Sequence, residues 1–220
     1  MISLQKYNES ERIKTIGVAL DQGKNVGIAS DAGTPNLADP GAHVVNHFLS
    51  TGYEVRAIPG PSSVASAVSV SGILANQFMF GGFFPKKSSD ALRAIETAQA
   101  GNIPLLFFET PKRIIKTLNW LKAETQVLHL TLSKELTKKF ETHFSGTLDE
   151  VLEALGTKEI KGEWTMFIEF AKAPENGQMD TLIALMKTLD LSKSQTLKIG
   201  QVLLELPKNK LYKAIHSFDA

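Results

Sequence analysis

The sequence predicts an α/β protein, and three observations carry that expectation. Short apolar runs of strand length alternate with helical runs through most of the chain. Two of the strand-to-helix junctions are dense in Gly, Pro, Ser and Asp, as strand ends that meet a ligand are. The composition, 43% hydrophobic and 21% charged over 220 residues, suits one large globular domain or two small ones.

The elements follow in order. Residues 11–22 form a helix, with Ile13, Ile16 and Leu20 at helical spacing. Residues 25–29 form a strand that ends in the loop Ser30 to Gly41, and residues 41–50 form a helix. Residues 53–58 form a second strand, ending in Pro59-Gly60-Pro61-Ser62-Ser63. Pro61 suits a first helical turn, and the two hydroxyls can cap a helix over 62–73. This half reads as parallel β/α, whose sheet needs both faces covered.

A break falls at 71–76. Residues 77–82 read as a strand, 89–99 as a helix, 103–108 as a strand and 111–122 as a helix with Pro111 in its first turn. Strands follow at 126–132, 140–145 and 163–170. Thr147 opens a further helix, with Glu150 three residues on in a capping-box pattern. Pro174-Glu175-Asn176-Gly177 reads as a linker, and helices follow at 180–189, 193–204 and 207–218. The boundaries are therefore placed at 1–75, 76–173 and 174–220, the last a small three-helix module.

Composition excludes some chemistries. The absence of cysteine removes disulfides, a thiolate nucleophile and Cys-based zinc. His43 and His47 are four residues apart, but no Glu lies between them in a zincin arrangement, so no metal is expected. No apolar run approaches the ~18 residues of a membrane span, and a cytoplasmic protein is expected. The net charge of +1 hides a gradient: residues 1–60 carry five Lys/Arg and six Asp/Glu, whereas 111–139 carry seven Lys/Arg against Glu124 and Glu135. Such a local basic surface can hold a polyanion.

The two Gly-rich loops suggest a nucleotide-like ligand, yet neither has the Lys-Ser/Thr pair of a P-loop or the Gly-x-Gly-x-x-Gly spacing. Asp31 and Asp39 repel phosphate and suit ammonium, sulfonium or ribose hydroxyl groups; both also suit turn capping. S-adenosylmethionine carries all three groups.

Ser30-Asp31-Ala32-Gly33-Thr34-Pro35 with Asp39-Pro40-Gly41, then Ile58-Pro59-Gly60-Pro61-Ser62-Ser63, resembles the signature of the tetrapyrrole-methylase superfamily. Further matches follow in order at Gly82 to Ser88, Phe107 to Arg113, Lys134 to Lys138, Gly146-Thr147-Leu148, Lys161 to Trp164 and Leu206 to Tyr212. Within the superfamily the chain resembles the branch that methylates a cytidine ribose 2′-hydroxyl in small-subunit (16S) ribosomal RNA.

That resemblance implies two α/β domains with the methyl donor S-adenosylmethionine in a cleft between them, and usually a homodimer. It places the donor against Ser30, Asp31 and Ala32, against Ser62, Ser63 and Ala65, and against Phe108, Glu109, Glu163 and Trp164. Candidate bases for the ribose hydroxyl are Glu135, Lys134 and Glu109. Ribosomal RNA, or the small subunit itself, is expected at Lys86, Lys87, Arg93, Lys112, Arg113 and Lys138. Two alternatives remain open: a tetrapyrrole methylase of the same superfamily, and a non-catalytic RNA-binding or dimerisation remnant.

The family's opening loop of Ala-Thr-Pro-Ile-Gly-Asn-Leu type, and its later Glu-Asp-Thr-Arg-type motif, have no counterpart here. The chain begins where the second βα unit would end, so one wall of the donor cleft is expected to be absent and donor binding weak. Calorimetric titration with S-adenosylmethionine checks this; micromolar affinity overturns it.

Overall fold

The computed structural model describes residues 1–156, 160–172, 176–204 and 206–216. The chain divides into two compact units, Met1–Ser66 and Ala67–Ala220.

The first unit is built on helices α1 (Glu9–Asp21) and α2 (Ala42–Ser50), and helix α3 (Ser63–Val70) begins at its end. Ile16 on α1 and Val44 and Phe48 on α2 form its core, with Leu4, Ile13, Leu20, Ile28 and Tyr53 packed around them. Tyr53 meets Phe48 edge-on at 5.4 Å and donates its hydroxyl proton to Asp21. The buried Glu9 accepts the Gly41 N–H at 2.7 Å, which ties the start of α1 to the start of α2.

The two strands expected at 25–29 and 53–58 are a correction: neither joins a ladder. The apolar runs exist, but Ile28 and Tyr53 pack on the helices while Val26 and Val55 stay more than 40% exposed. An isolated strand pair has too little cooperative pairing to stand alone in water, and parallel pairs need both faces covered.

The second unit holds strands β1 (Met79–Phe83), β2 (Leu105–Glu109), β3 (Val127–Lys134), β4 (Thr142–Gly146) and β5 (Trp164–Phe170). Their order in the sheet is β1-β2-β5-β3-β4. β1 and β2 are parallel, and every other pair is antiparallel. Helices α4 (Ser88–Gly101), α5 (Ile114–Glu124) and α6 (Leu148–Leu155) contribute to one core. Their contributing residues fall at helical spacing: Ala91, Ile95 and Ala98; Ile114, Leu118 and Leu121; Leu148, Val151 and Leu155. They pack against alternate strand residues, including Leu105, Phe107, Leu130, Leu132, Met166 and Ile168.

The expected capping box is present. Thr147 Oγ1 accepts the Glu150 N–H while Glu150 Oε2 accepts the Thr147 N–H. A second box, Ser192 with Gln195, was not read from the sequence. It opens α8 (Lys193–Leu203), which lies between α7 (Asn176–Thr188) and α9 (Lys208–His216). Asn176 and Gly177, expected in a linker, begin α7; Pro174 and Glu175 lie outside the described residues. Leu182, Leu206, Leu211 and Ile215 form this module's own cluster. Asn209 Nδ2 donates to Glu124 Oε1 at 3.0 Å, tying α9 to α5. Among the described residues no helix is long and apolar enough to cross a membrane.

β1 contains a bulge that decides where its aromatics point. Phe80 stands opposite Leu106 and Phe83 opposite Phe108, so three steps on β1 answer two on β2. Gly82 absorbs the extra residue at φ 68°. Without it, Phe80 and Phe83 would face opposite sides; with it, both meet Phe108, at 5.0 and 5.8 Å between centroids. Phe84 turns the other way and packs on Phe107 and Trp120.

Gly81 lies directly against the Phe107 ring, and a Cβ there would sit 2.2 Å from Cε1. We expect Gly81→Ala to destabilise the second unit by roughly 1–3 kcal/mol, the usual cost of forcing an extra carbon into a packed core. A lowered urea midpoint with unchanged slope checks this.

Candidate active site

In the first unit the two Gly-rich loops are joined. Ser30 Oγ donates within its own turn, to Ala32 O at 3.3 Å and Gly33 O at 3.0 Å. Thr34 Oγ1 donates to Pro61 O at 3.1 Å, bringing the loop after residue 29 against the loop after residue 58. Ser62 Oγ accepts the Ala65 N–H at 3.4 Å, the capping role expected of it, and Ser63 opens α3. Left-handed backbone recurs at Gly33, Asn36, Ala38 and Gly41. For Ala38 that conformation is strained, and such residues cluster at ligand sites. Asp31 is exposed, and among the described residues neither Asp31 nor Asp39 makes a hydrogen bond or ion pair.

In the second unit the candidates converge at one end of the sheet. β1, β2 and β3 finish there and β5 and β4 begin there, because β5 runs antiparallel to both of its neighbours and β4 antiparallel to β3. One row crosses that end: Phe83 opposite Phe108, Glu109 opposite Trp164, Trp164 opposite Lys134, Lys134 opposite Thr142. The loops leaving it carry Lys86, Lys87, Lys112, Arg113, Glu135 and Lys138.

Glu109 is fully buried and both of its oxygens are engaged. Oε1 accepts the Thr110 N–H at 2.7 Å; Oε2 accepts Thr117 Oγ1 at 2.7 Å and pairs with Arg113 Nη2 at 3.3 Å. Arg113 Nη2 also donates to Phe84 O at 3.0 Å and Pro85 O at 3.1 Å. The pair therefore fixes the end of β2, the start of α5 and the loop after β1. Its geometry is that of a positioning group.

Glu135 is a second anchor. Its Oε1 accepts the Glu163 N–H at 2.8 Å and Lys138 Nζ at 3.2 Å, and Lys138 also reaches Glu163 Oε2 at 3.0 Å. Gly162, at φ 81°, leaves the room: a Cβ there would sit 2.7 Å from the Glu135 side chain. The Glu163 backbone N–H, followed by Lys138 and Lys134, holds the Glu135 carboxyl below its ordinary pKa against the opposing effect of burial. For Lys138 burial works against the charge, but the hydrogen bonds and charges of Glu163 and Glu135 outweigh it and its pKa rises.

Lys134 Nζ lies 5.8 Å from the Trp164 ring centroid, a cation–π distance. Trp164 is 2% exposed and its indole N–H has no partner among the described residues. A buried donor left unpaired is costly, so an acceptor there is favoured.

Of the expected RNA contacts, Lys86, Lys87, Arg93 and Lys112 are exposed, and among the described residues their side chains make no ion pair. Arg113 and Lys138 are committed internally. Nothing in the sequence pointed to a second polar chain, in which His143 links Ser133 Oγ and Glu141 Oε1, each at 2.9 Å.

The architecture defines a class. It aligns with diphthine synthase at a TM-score of 0.59 and 15% identity, covering 81% of this chain and 72% of that one. It aligns with the methyltransferase CobJ at 0.54 and 17%, covering 74% and 72%. More particularly, residues 3–152 match the tetrapyrrole (corrin/porphyrin) methylases, and the chain belongs to that family. Relatives named ribosomal RNA small subunit methyltransferase I include one from Escherichia coli, 31% identical over 97% of this chain and 76% of its own length. One from Thermotoga maritima is 34% identical over 76% and 75%.

A depressed Glu135 pKa makes stability acid-sensitive in a set direction. The stabilisation is complete above the ordinary value of 4.5 and is lost as pH falls through the lower folded value. Wild-type protein should therefore exceed Glu135→Gln in stability at neutral pH, and the gap should shrink as pH falls below 4.5. Thermal unfolding across pH 2.5–7, in roughly half-unit steps, checks this.

Proposed function

We propose that the chain transfers a methyl group from S-adenosylmethionine to the ribose 2′-hydroxyl of a cytidine in the decoding region of 16S ribosomal RNA, acting as a cytoplasmic homodimer. The observation that carries this reading is the roughly 30% identity, along nearly the whole chain, to proteins named ribosomal RNA small subunit methyltransferase I. The unpaired lysines after β1 and β2 support an anionic substrate.

The residues suit such a donor. The loop after residue 29 offers the exposed Asp31 and the partly buried Asp39, neither with a partner among the described residues, and contains no lysine to repel a cationic sulfur. At the sheet end the unpartnered Trp164 N–H offers a hydrogen bond to an acceptor. When bound, S-adenosylmethionine supplies a methyl group activated by a positively charged sulfur.

The chain's own contribution is then placement and proton removal. Glu109 and Arg113 fix the loops that border the sheet end. Glu135, with its proton affinity lowered and its oxygen shared by two donors, serves as an anchor and is poorly matched to accept a proton near neutral pH. Lys134, whose ammonium lies 5.8 Å from the Trp164 ring centroid, is the remaining candidate acceptor and must first release its own proton before it can take one from the ribose hydroxyl.

The test is transfer of labelled methyl, at millimolar donor, to small ribosomal subunits and, separately, to a porphyrinogen. We expect label in 16S RNA at one alkali-resistant linkage. Label in the porphyrinogen alone assigns tetrapyrrole methylation. No label in either, with RNA still bound, assigns a non-catalytic binder.

A further inference from the structure

The geometry points to Phe83 as a stacking platform for an unpaired base of an RNA strand whose phosphates lie against Lys86 and Lys87. This rests on the reading of the chain as an RNA-modifying enzyme and specifies how that RNA is held.

Four observations support it. Phe83 is a large aromatic at 53% exposure, although it lies in a strand whose next residue, Phe84, is buried. Its outward position is built: the bulge at Gly82 rotates it out of the core and onto the face shared with Phe80 and Phe108. Those two rings meet edge-to-face, at 5.0 Å, and Phe83 meets Phe108 the same way, at 5.8 Å. The phenyl ring is thus braced from behind while more than half of the residue stays open. A base has a π-face of matching size and stacks on such a ring irrespective of sequence.

The charges beside it select the occupant. Lys86 and Lys87 follow within four residues, both exposed, and neither makes an ion pair among the described residues. Four residues of chain span at most ~14 Å between Cα atoms, so the backbone of both lysines stays within a few nucleotides' length of Phe83. No acidic side chain falls between Phe83 and Lys87. An aromatic face next to unpaired cations is the arrangement that holds single-stranded nucleic acid.

The loop is also held in place before any ligand arrives. Arg113 Nη2 donates to Phe84 O and Pro85 O while paired with the buried Glu109. Platform and lysines therefore keep their spacing, which reduces the ordering cost of binding.

The experiment titrates the full chain into a short single-stranded oligoribonucleotide bearing 2-aminopurine, whose fluorescence falls on stacking, over a series of salt concentrations. Wild type and Phe83→Tyr should bind and quench alike. Phe83→Leu, which keeps an apolar side chain, should bind roughly tenfold more weakly, with quenching lost and the salt slope unchanged. Lys86→Ala/Lys87→Ala should keep quenching at saturation and lower the log–log salt slope by about 1.4. Equal affinity and quenching in Phe83→Leu and Phe83→Tyr overturns the platform while leaving RNA binding intact. Equal competition by a fully paired duplex overturns it as well. Failure of the wild-type chain to bind the strand at low salt removes the RNA reading itself, and the platform with it.

Discussion

Burying the Glu109 carboxylate at the end of β2 constrains everything around it. A carboxylate removed from water costs several kcal/mol unless it is paired and its oxygens accept hydrogen bonds. Here the compensation comes from three directions: the backbone of Thr110, the hydroxyl of Thr117 one turn inside α5, and the guanidinium of Arg113 just before that helix. None can move without exposing or orphaning the charge. The same guanidinium reaches two carbonyls of the loop after β1, so the requirement propagates sideways to a second loop. Arginine suits this because its fork can serve several acceptors at once, which an ammonium of the same charge serves less well.

The far side of the sheet end is organised by a similar logic with looser burial. Glu135 stands at left-handed φ 52°, a conformation that costs a non-glycine residue energy and persists only when its surroundings hold it. The restraint comes from the neighbouring strand: Glu135 N–H donates to Glu163 O and its carboxylate accepts the Glu163 N–H. Gly162 makes this possible by having no side chain in the space Glu135 fills. The two anchors thus brace opposite flanks of the Glu109–Trp164–Lys134 row, each through a carboxylate held by backbone and cation together.

How much of this was legible depends on range. The capping box at Thr147, the helices expected at 89–99 and 111–122 and the strands of the second unit are local signals, and the sequence carries each of them. The strands expected at 25–29 and 53–58 failed because an apolar run fixes only a desire for burial; a ladder also needs partners. The sheet gathers Phe108, Glu109, Lys134 and Trp164 at one end, whereas the Gly- and Pro-rich loops after residues 29 and 58 follow segments that join no ladder. What a charged side chain touches depends on register and on bulges, which spacing alone does not give. Arg113 and Lys138 looked like free cations in the sequence and are internal partners in the fold. The exposure of Phe83 depends on one extra residue in β1, which periodicity cannot locate.

That distinction changes the electrostatics of the basic stretch. Its excess of five positive charges was read as a surface for a polyanion, yet Arg113, Lys122 and Lys138 are paired to Glu109, Asp149 and Glu135 with Glu163. A paired cation releases few counterions when a phosphate approaches, so it adds little to affinity or its salt dependence. The effective charge is therefore smaller than the count and is displaced toward Lys86, Lys87, Lys112 and Lys116, none of which has an internal ion pair among the described residues. Lys86, Lys87 and Lys112 belong to the β1–α4 and β2–α5 connections, whose positions the Glu109–Arg113 pair sets, and Lys116 lies in the first turn of α5. The buried pair thus contributes no charge of its own to the surface, but it fixes where the unpaired charges stand.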